Sequence, residues 1–262
     1  MAYTLKDCFA SCLGQSSIIA LEGMMLLQDR QVVIIGASSG MGLATAKAAA
    51  EAGAKVTLAA RKQDRLERAA IGIGQGAQAI VADIGDEQAI KSLFAQVGSV
   101  DHLVTTAADL TFAPIEQLCG ADAQRVVTSK ILGPFYAVKH AAPRLSRTGS
   151  ITFFSGFSAW KPVPHTALIA AVDGALAAFC RSLAVELAPI RVNVIAPGVV
   201  ETPMWQGVPE EQRKAFLATV SEQLPVGRIG SPADMANAAL YLMQNSFITG
   251  TVLHVDGGHQ LV

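Results

Sequence analysis

A short apolar run that breaks into closely spaced glycines constrains the fold of this chain most. Residues 31–35 read Gln-Val-Val-Ile-Ile, and Gly36, Gly40 and Gly42 follow in a G-x-x-x-G-x-G pattern before an alanine-rich stretch. A continuous Val/Ile run is typical of a strand buried on both faces, and the glycines let the backbone approach a phosphate at the next helix N-terminus. Glycines at the end of a strand also form ordinary turns, so the rest of the chain has to distinguish a phosphate-binding loop from a plain turn.

Strand-like and helix-like segments alternate along the remaining sequence. This alternation predicts an α/β fold: a Rossmann-like, doubly wound parallel sheet of about seven strands in a single domain. The first predicted strand lies within 31–36, and the others are 55–60, 77–81, 102–106, 150–155, 191–195 and 251–254. The predicted helices are 43–52, 64–71, 87–97, 117–142, 167–187 and 232–243, with a long insert over 198–225.

The first 27 residues are interpreted as an N-terminal extension of a domain that spans 28–262. Their apolar patches are interrupted by Lys6, Asp7 and Glu22, so no uninterrupted stretch is long enough for a membrane span. A signal peptide would place positive charge first and small residues at a cleavage site, and this order is also missing. Three roles stay open: a cover for a neighbouring subunit, a cover for the active-site mouth, or upstream sequence before a start near Met24 or Met25.

The charge balance and composition narrow the classes of partner. The 20 Lys and Arg residues against 21 Asp and Glu leave no basic surplus for a nucleic acid, and no membrane partner is expected. A hydrophobic share of 51% with 16% charged residues favours buried subunit contacts, hence a homo-oligomer, a dimer or a tetramer. The cysteines and histidines lack metal-site spacing, which predicts no metal. An enzyme-like α/β chain favours reduced thiols and a cytoplasmic location.

The end of the second predicted strand bears on the choice of cofactor. A chain that selects NAD usually places a carboxylate here for the ribose 2′-hydroxyl, whereas this chain has Arg61 and Lys62. A cationic pair favours the 2′-phosphate of NADP(H), and the hydroxyls of Ser38 and Ser39 are suited to the same phosphate. The alternative is a solvated charge pair at the start of the next helix.

Several landmarks in order resemble the short-chain dehydrogenase/reductase family along residues 28–262. One landmark is the G-x-x-x-G-x-G segment over 36–42, called the glycine loop below. Residues 191–198 are similar to the family's R-V-N-x-x-x-P-G, and residues 248–258 resemble its last strand and oligomer-forming end. The resemblance implies that Asp83 contacts the adenine and that Thr202 binds the nicotinamide carboxamide. The candidate cofactor-binding residues are Gly36, Ser38, Ser39, Gly40, Met41, Gly42, Arg61, Lys62, Asp83, Ile84, Ala107, Val200 and Thr202.

The same alignment makes the chain an atypical member, because the usual catalytic identities are replaced. The family's active-site Asn falls on Lys130, its Ser on Gly156, its Tyr on Ile169 and its Lys on Asp173. The family's N-N-A-G after the fourth strand reads Thr-Thr-Ala-Ala over 105–108, which keeps small residues beneath the cofactor.

Three residues remain as catalytic candidates, and a fourth is an alternative acid. Lys130 and Asp173 could pair, because Asp173 follows Ile169 by one helical turn; the pair would relay protons or serve the structure. Ser155 would orient a substrate or cap its strand, and the loop residue His165 is an alternative acid.

These features predict an NADP(H)-dependent oxidoreductase that transfers a hydride between nicotinamide and a small organic substrate, at a C=O, C=C or C=N bond. Its proton donor would be non-standard, so a conjugated C=C bond or an already protonated imine suits it best. Two alternatives stay open: a catalytically silent cofactor-binding or scaffold protein, and a non-redox lyase or isomerase on the same fold.

Overall fold

Seven parallel strands form one sheet in the computed structural model, which describes residues 27–74 and 76–262. Their order is β3-β2-β1-β4-β5-β6-β7, so the strand order reverses between β1 and β4. This topology confirms the predicted Rossmann-like sheet. The strands are β1 (Gln31–Ile35), β2 (Lys55–Ala60), β3 (Ala77–Val81), β4 (Val100–Thr105), β5 (Leu145–Phe154), β6 (Arg191–Pro197) and β7 (Val252–Val255).

Helices cover both faces of the sheet and create two separate apolar cores. Helices α1, α2 and α8 pack on one face, and α3, α5 and α6 pack on the other. The α-helices are α1 (Gly40–Glu51), α2 (Gln63–Ile73), α3 (Glu87–Val97), α4 (Gly120–Val127), α5 (Gly133–Ala141), α6 (Ala167–Glu186), α7 (Glu210–Gln223) and α8 (Pro232–Gln244).

Strand β1 explains why its sequence is a continuous apolar run. Val32 and Ile34 point into the core beneath α1 and α8, whereas Val33 and Ile35 point into the opposite core. All four side chains are at most 1% exposed. Leu27 is buried in the first of these cores, and the rest of the predicted extension, residues 1–26, lies outside the described residues.

The helix predicted over 117–142 begins at Gly120 and has unbroken helical backbone through Ala141, but it is not α-helical throughout. A turn of π-helix over Thr128–Leu132 separates α4 from α5, and the backbone N–H of Gly133 donates to the carbonyl of Thr128, five residues earlier. Pro134 follows in the first turn of α5. Because proline has no N–H for the carbonyl of Lys130, the α-helical bonding pattern cannot continue through this point.

Two other segments differ from their predicted structure. The insert over 198–225 contains α7, whose inner face buries only Leu217 and Val220, so its apolar periodicity is too sparse to read from sequence. Strand β5 begins at Leu145, which pairs with Val100 across a register irregularity, whereas the sequence predicted a start at Ser150.

The R-V-N segment in β6 anchors neighbouring elements of the fold. The guanidinium of Arg191 donates to the carbonyls of Leu242 and Met243 in the last turn of α8. The Asn193 side chain donates to Ile248 O at 3.0 Å and accepts from the backbone N–H of Thr251 at 3.3 Å. Both side chains therefore satisfy backbone groups at the end of α8 and just before β7, which fixes α8 on the sheet and the start of β7 beside β6.

Helix α6 is long and apolar enough to cross a membrane by length and composition, with a mean hydropathy of 1.7. Core helices pass the same test. Leu176 and Cys180 of α6 lie in the core with α3 and α5, so we describe α6 as a core helix of this domain.

A buried histidine in strand β4, His102, predicts an acid-sensitive stability. Burial lowers the pKa of His102 to about 4, with further lowering from Arg191 and Arg30 and an opposite effect of Asp101. The folded state therefore holds His102 neutral, and its stabilising contribution is complete above pH 6.5 and is lost as the pH falls towards 4. Between pH 7 and 4.5 we expect this group to remove about 2 kcal/mol from the free energy of unfolding.

Urea unfolding of His102→Gln across this pH range measures that contribution. The variant is expected to show a flatter pH dependence than the parent protein, and exposed His165→Gln serves as the matched control. Parallel pH profiles for the parent and His102→Gln would contradict the assignment.

Candidate active site

The glycine loop packs directly against the start of the segment after β4. Gly36 has φ +99°, and a β-carbon on it would lie 2.5 Å from the backbone nitrogen of Ala107. A β-carbon on Gly42 would collide with the carbonyl of Gly36. The structure thus brings Gly36, Gly42 and Ala107 together, and the close contacts explain why both glycines lack side chains.

The first turn of α1 supplies the donors that a phosphate needs. Gly40, with φ +56°, is the first residue of α1, and Met41 and Gly42 follow it. Ser39 is the N-cap residue, yet its side chain makes no capping hydrogen bond within the described part of the chain. The N-terminal amides of this 12-residue helix are therefore suited to an anion.

Thr106 is a site residue that the sequence reasoning missed. Its hydroxyl donates to the carbonyls of Ile35 and Gly36, at 3.3 and 3.2 Å. It thereby fastens β4 to the glycine loop at the position where the family has an asparagine. The only sequence signal was the departure from N-N-A-G, which shows the change but not the new bond.

The end of β2 lies beside the glycine loop, because Gly36 and Ala37 both donate to the carbonyl of Ala59. Arg61 follows β2, and its side chain is 62% exposed. Its guanidinium forms an ion pair with the Asp109 carboxylate at 3.6 Å. A bound phosphate would therefore compete with this carboxylate for Arg61. Lys62 is the exposed N-cap residue of α2.

A positively charged cavity of about 390 Å³ adjoins the loop serines. Ser38 and Ser39 line it together with Lys47 from α1 and Arg65 and Arg68 from α2. Arg68 is already paired with Asp64 at 2.8 Å. Sequence reasoning missed Lys47 and Arg65, because helical spacing alone does not reveal which surface cations face a cleft.

The remaining cofactor candidates lie around the same edge with different contacts. The Asp83 carboxylate accepts a hydrogen bond from the backbone N–H of Gly85 at 2.9 Å, and Ile84 is buried against Gly133. Thr202 approaches the glycine loop: its Cβ would lie 3.6 Å from a β-carbon on Gly40. Val200 is buried and accepts the indole N–H of Trp205 on its carbonyl at 2.9 Å.

The three catalytic candidates lie together at the end of β5. The Lys130 ammonium is 3.4 Å from Oδ1 of Asp173 and donates to the carbonyls of Phe154 and Ser155, at 3.1 and 3.2 Å. Ser155 donates its hydroxyl hydrogen to the carbonyl of Gly156 at 3.2 Å. Lys130 thus ties the π-helical turn to the end of β5.

Asp173 is the least satisfied member of this cluster. Its side chain is fully buried, and neither carboxyl oxygen has a hydrogen-bond partner among the residues that the structure describes. Burial raises the pKa of Asp173, and the neighbouring Lys130 acts in the opposite direction. A carboxyl group in this setting holds a proton at a higher pH than a surface aspartate does.

The replaced tyrosine position leaves an apolar surface. Ile169 is buried one helical turn before Asp173 on α6, and its side chain can neither donate nor accept a proton. His165 is exposed in the preceding loop with φ +68°. Within residues 27–74 and 76–262, no cluster of three His, Cys, Asp or Glu side chains is arranged to hold a metal ion.

The buried ion pair predicts a large cost for removing one partner. We expect Lys130→Met to lower the free energy of unfolding by about 3 kcal/mol, because it leaves a buried carboxyl group without its cation. Lys139→Met is the control: Lys139 pairs with Glu87, but both side chains are at least 40% exposed, so the loss should stay below about 1 kcal/mol.

Urea unfolding of both variants is the measurement. Lys130→Met combined with Asp173→Leu removes both buried charges and should recover most of the loss. Equal stability of Lys130→Met and Lys139→Met would contradict the presence of a buried pair.

Comparison with known proteins agrees with this geometry. Residues 36–260 match the family model described as enoyl-(acyl carrier protein) reductase. The short-chain dehydrogenase/reductase ATR9 of Stachybotrys chlorohalonatus is 34% identical over 254 residues, which cover 90% of this chain and 98% of the relative. The short-chain dehydrogenase/reductase malC of Malbranchea aurantiaca is 33% identical, over 89% of this chain and 95% of the relative.

Solved structures show the same similarity. The MalC reductase/Diels-Alderase of Malbranchea aurantiaca superimposes with a TM-score of 0.86 at 30% identity, covering 91% of this chain and 99% of that one. A small-chain dehydrogenase in complex with NADPH gives a TM-score of 0.79 at 32% identity, covering 90% and 100%. The chain belongs to the short-chain dehydrogenase/reductase family of NAD(P)-dependent oxidoreductases.

Proposed function

We propose that this protein is an NADP(H)-dependent oxidoreductase that handles protons without the family's usual tyrosine. The observation that carries the proposal is the intact cradle at the glycine loop. Gly36 and Gly42 have no room for a β-carbon, and the first turn of α1 offers its amides. Such close backbone contacts are needed for a pyrophosphate.

The residues of this chain fit a phosphorylated dinucleotide. The loop and the first turn of α1 would hold the pyrophosphate, and Thr202 would bind the carboxamide. Arg61, with Ser38 and Ser39, would receive the 2′-phosphate, supported by the positive cavity that contains Lys47 and Arg65. When bound, NADPH supplies a hydride to an electrophilic carbon of the substrate.

The substrate class follows from the lack of a free proton donor at the replaced catalytic positions. Hydride addition to a simple ketone creates an alkoxide that needs an acid nearby. Ile169 offers none, and the Lys130 donors are directed at two carbonyls and Asp173. We therefore favour a conjugated C=C bond or a protonated C=N bond, with Asp173 and Lys130 as the groups that hold or relay a proton and Ser155 as an orienting group.

A second candidate is a catalytically silent protein that binds the cofactor or acts as a scaffold. The complete burial of Asp173 favours it, because a substrate would have no direct access to this carboxyl group. The third alternative is a non-redox reaction in the same pocket. The similar MalC protein of Malbranchea aurantiaca is a reductase/Diels-Alderase, so the fold is compatible with such a combination.

We further propose a homo-oligomer, a dimer or a tetramer, located in the cytoplasm. Helix α6 exposes Ala171, Ala175 and Ala178, which allow close helix packing. An apolar groove of about 330 Å³ beside them is lined by Phe135, Phe179, Ile131, Leu132 and Ala175. Light scattering tests the assembly, since a 27.3 kDa particle would contradict it.

Cofactor selection gives the first test of the proposed function. Fluorescence titration should give tighter binding of NADPH than of NADH, and Arg61→Ala should weaken NADPH binding about tenfold, because one charge-assisted contact to the 2′-phosphate is lost. NADH binding should not change. Arg147→Ala is the matched control, because this exposed arginine lies near the opposite end of β5. Equal affinities for the two cofactors would refute the NADP(H) assignment.

Hydride transfer is the second test. NADPH oxidation is followed with a cyclic iminium, a conjugated enone and a simple ketone of similar size. We expect turnover of the iminium or the enone and little with the ketone. Asp173→Asn should reduce turnover while NADPH affinity is retained. Tight NADPH binding without oxidation by any acceptor would favour the silent protein.

A further inference from the structure

The glycine at position 156 has no explanation in its own backbone. Gly156 has φ −160° and ψ 174°, an extended conformation that any residue adopts. It follows β5 and lies between Ser155 and Phe157, at the position where the family resemblance implies a serine. The backbone conformation therefore does not require glycine at this position. The atoms around Gly156 must account for its missing side chain.

That space is filled by the carboxyl group of Asp173. A β-carbon on Gly156 would lie 2.7 Å from Oδ2, 3.4 Å from Cγ and 3.6 Å from Oδ1 of this residue. The first distance is shorter than real β-carbons tolerate. Outside Gly156 and its two neighbours in the chain, the three described atoms closest to that point all belong to Asp173.

The carboxyl group has little freedom to move away. Asp173 lies inside α6, its side chain is fully buried, and Oδ1 is 3.4 Å from the Lys130 ammonium. Lys130 is itself bonded to the carbonyls of Phe154 and Ser155, which immediately precede Gly156. A side chain at 156 would therefore press on a carboxyl group that is held from the other side.

We infer that Gly156 is a positioning residue for Asp173: its missing side chain admits the carboxyl group to the place where a serine side chain would stand. Gly156, Lys130 and Asp173 are then one interdependent set. The replacements have a common cause, because a larger residue at 156 and a carboxyl group at this point exclude each other. The catalytic meaning of the set rests on the proposed function, whereas the steric relation does not.

A double-mutant cycle tests the steric relation. Gly156→Ala should lower Tm by about 4 °C in the parent protein, because overpacking a buried site is destabilising. In the Asp173→Ala background the same change should shift Tm by less than about 1 °C, since the colliding atoms are gone. Gly174→Ala is the matched control and should not lower Tm. Outside the backbone of α6 itself, the described atom nearest to a β-carbon there belongs to Ala159, at 3.9 Å, and alanine is the better helix former.

Two outcomes would overturn the inference. An equal loss in both backgrounds means that another group occupies the space beside Gly156. No loss in the parent protein, with Gly174→Ala also causing no loss, means that the carboxyl group of Asp173 does not lie there.

A second readout separates positioning from general destabilisation. Carboxyl titration by carbon NMR should show a changed pKa of Asp173 in Gly156→Ala and an unchanged one in Gly174→Ala. An unaltered titration in Gly156→Ala would contradict the positioning role. Neither measurement needs a substrate. The absence of hydride transfer would therefore refute the proposed function without bearing on the steric relation between Gly156 and Asp173.

Discussion

The close approach of two backbone segments at the carboxyl edge of the sheet is the constraint on which the candidate site depends. Gly36 turns against Ala107, and Gly42 lies over the carbonyl of Gly36, so neither glycine has room for a side chain. Because β1 and β4 are neighbours where the strand order reverses, the chain leaves them in opposite directions and a crevice opens. The end of β2 and Thr202 reach the same crevice because parallel strands end at a shared edge.

A buried charge pair controls the other half of the site. A carboxyl group loses its hydration on burial, and one ammonium at 3.4 Å does not fully replace it, especially when that ammonium also serves two carbonyls. Unsatisfied buried groups of this kind are uncommon and call for an explanation. Here the π-helical turn presents Lys130, α6 presents Asp173, and Gly156 leaves the space in which they meet. The departures from the family pattern thus form one consistent arrangement of charge and volume.

Much of the fold could be predicted because its signals are local. The bounds of β2, β3 and α3 agree with the prediction residue by residue, since apolar runs, glycines and the N-cap Asp86 mark them within a few positions. The helix over 117–142 was predicted without its π-helical turn, because one missing N–H at Pro134 changes the bonding pattern of an otherwise helical sequence. Helix α7 was missed because its inner face carries too few apolar residues to show a period.

The sequence by itself determined the strand–loop–helix unit, the parallel α/β architecture, the family and the identities of the four replaced residues. Only the tertiary structure decided that Lys130 turns to the carbonyls at the end of β5, that Thr106 fastens the glycine loop, and that Arg61 faces Asp109. The physical reason is the distance along the chain over which each kind of interaction acts. Propensities and turns act over a few residues, whereas these contacts join segments far apart in the chain. Their distances are set by how helices pack on the sheet, which no local pattern records.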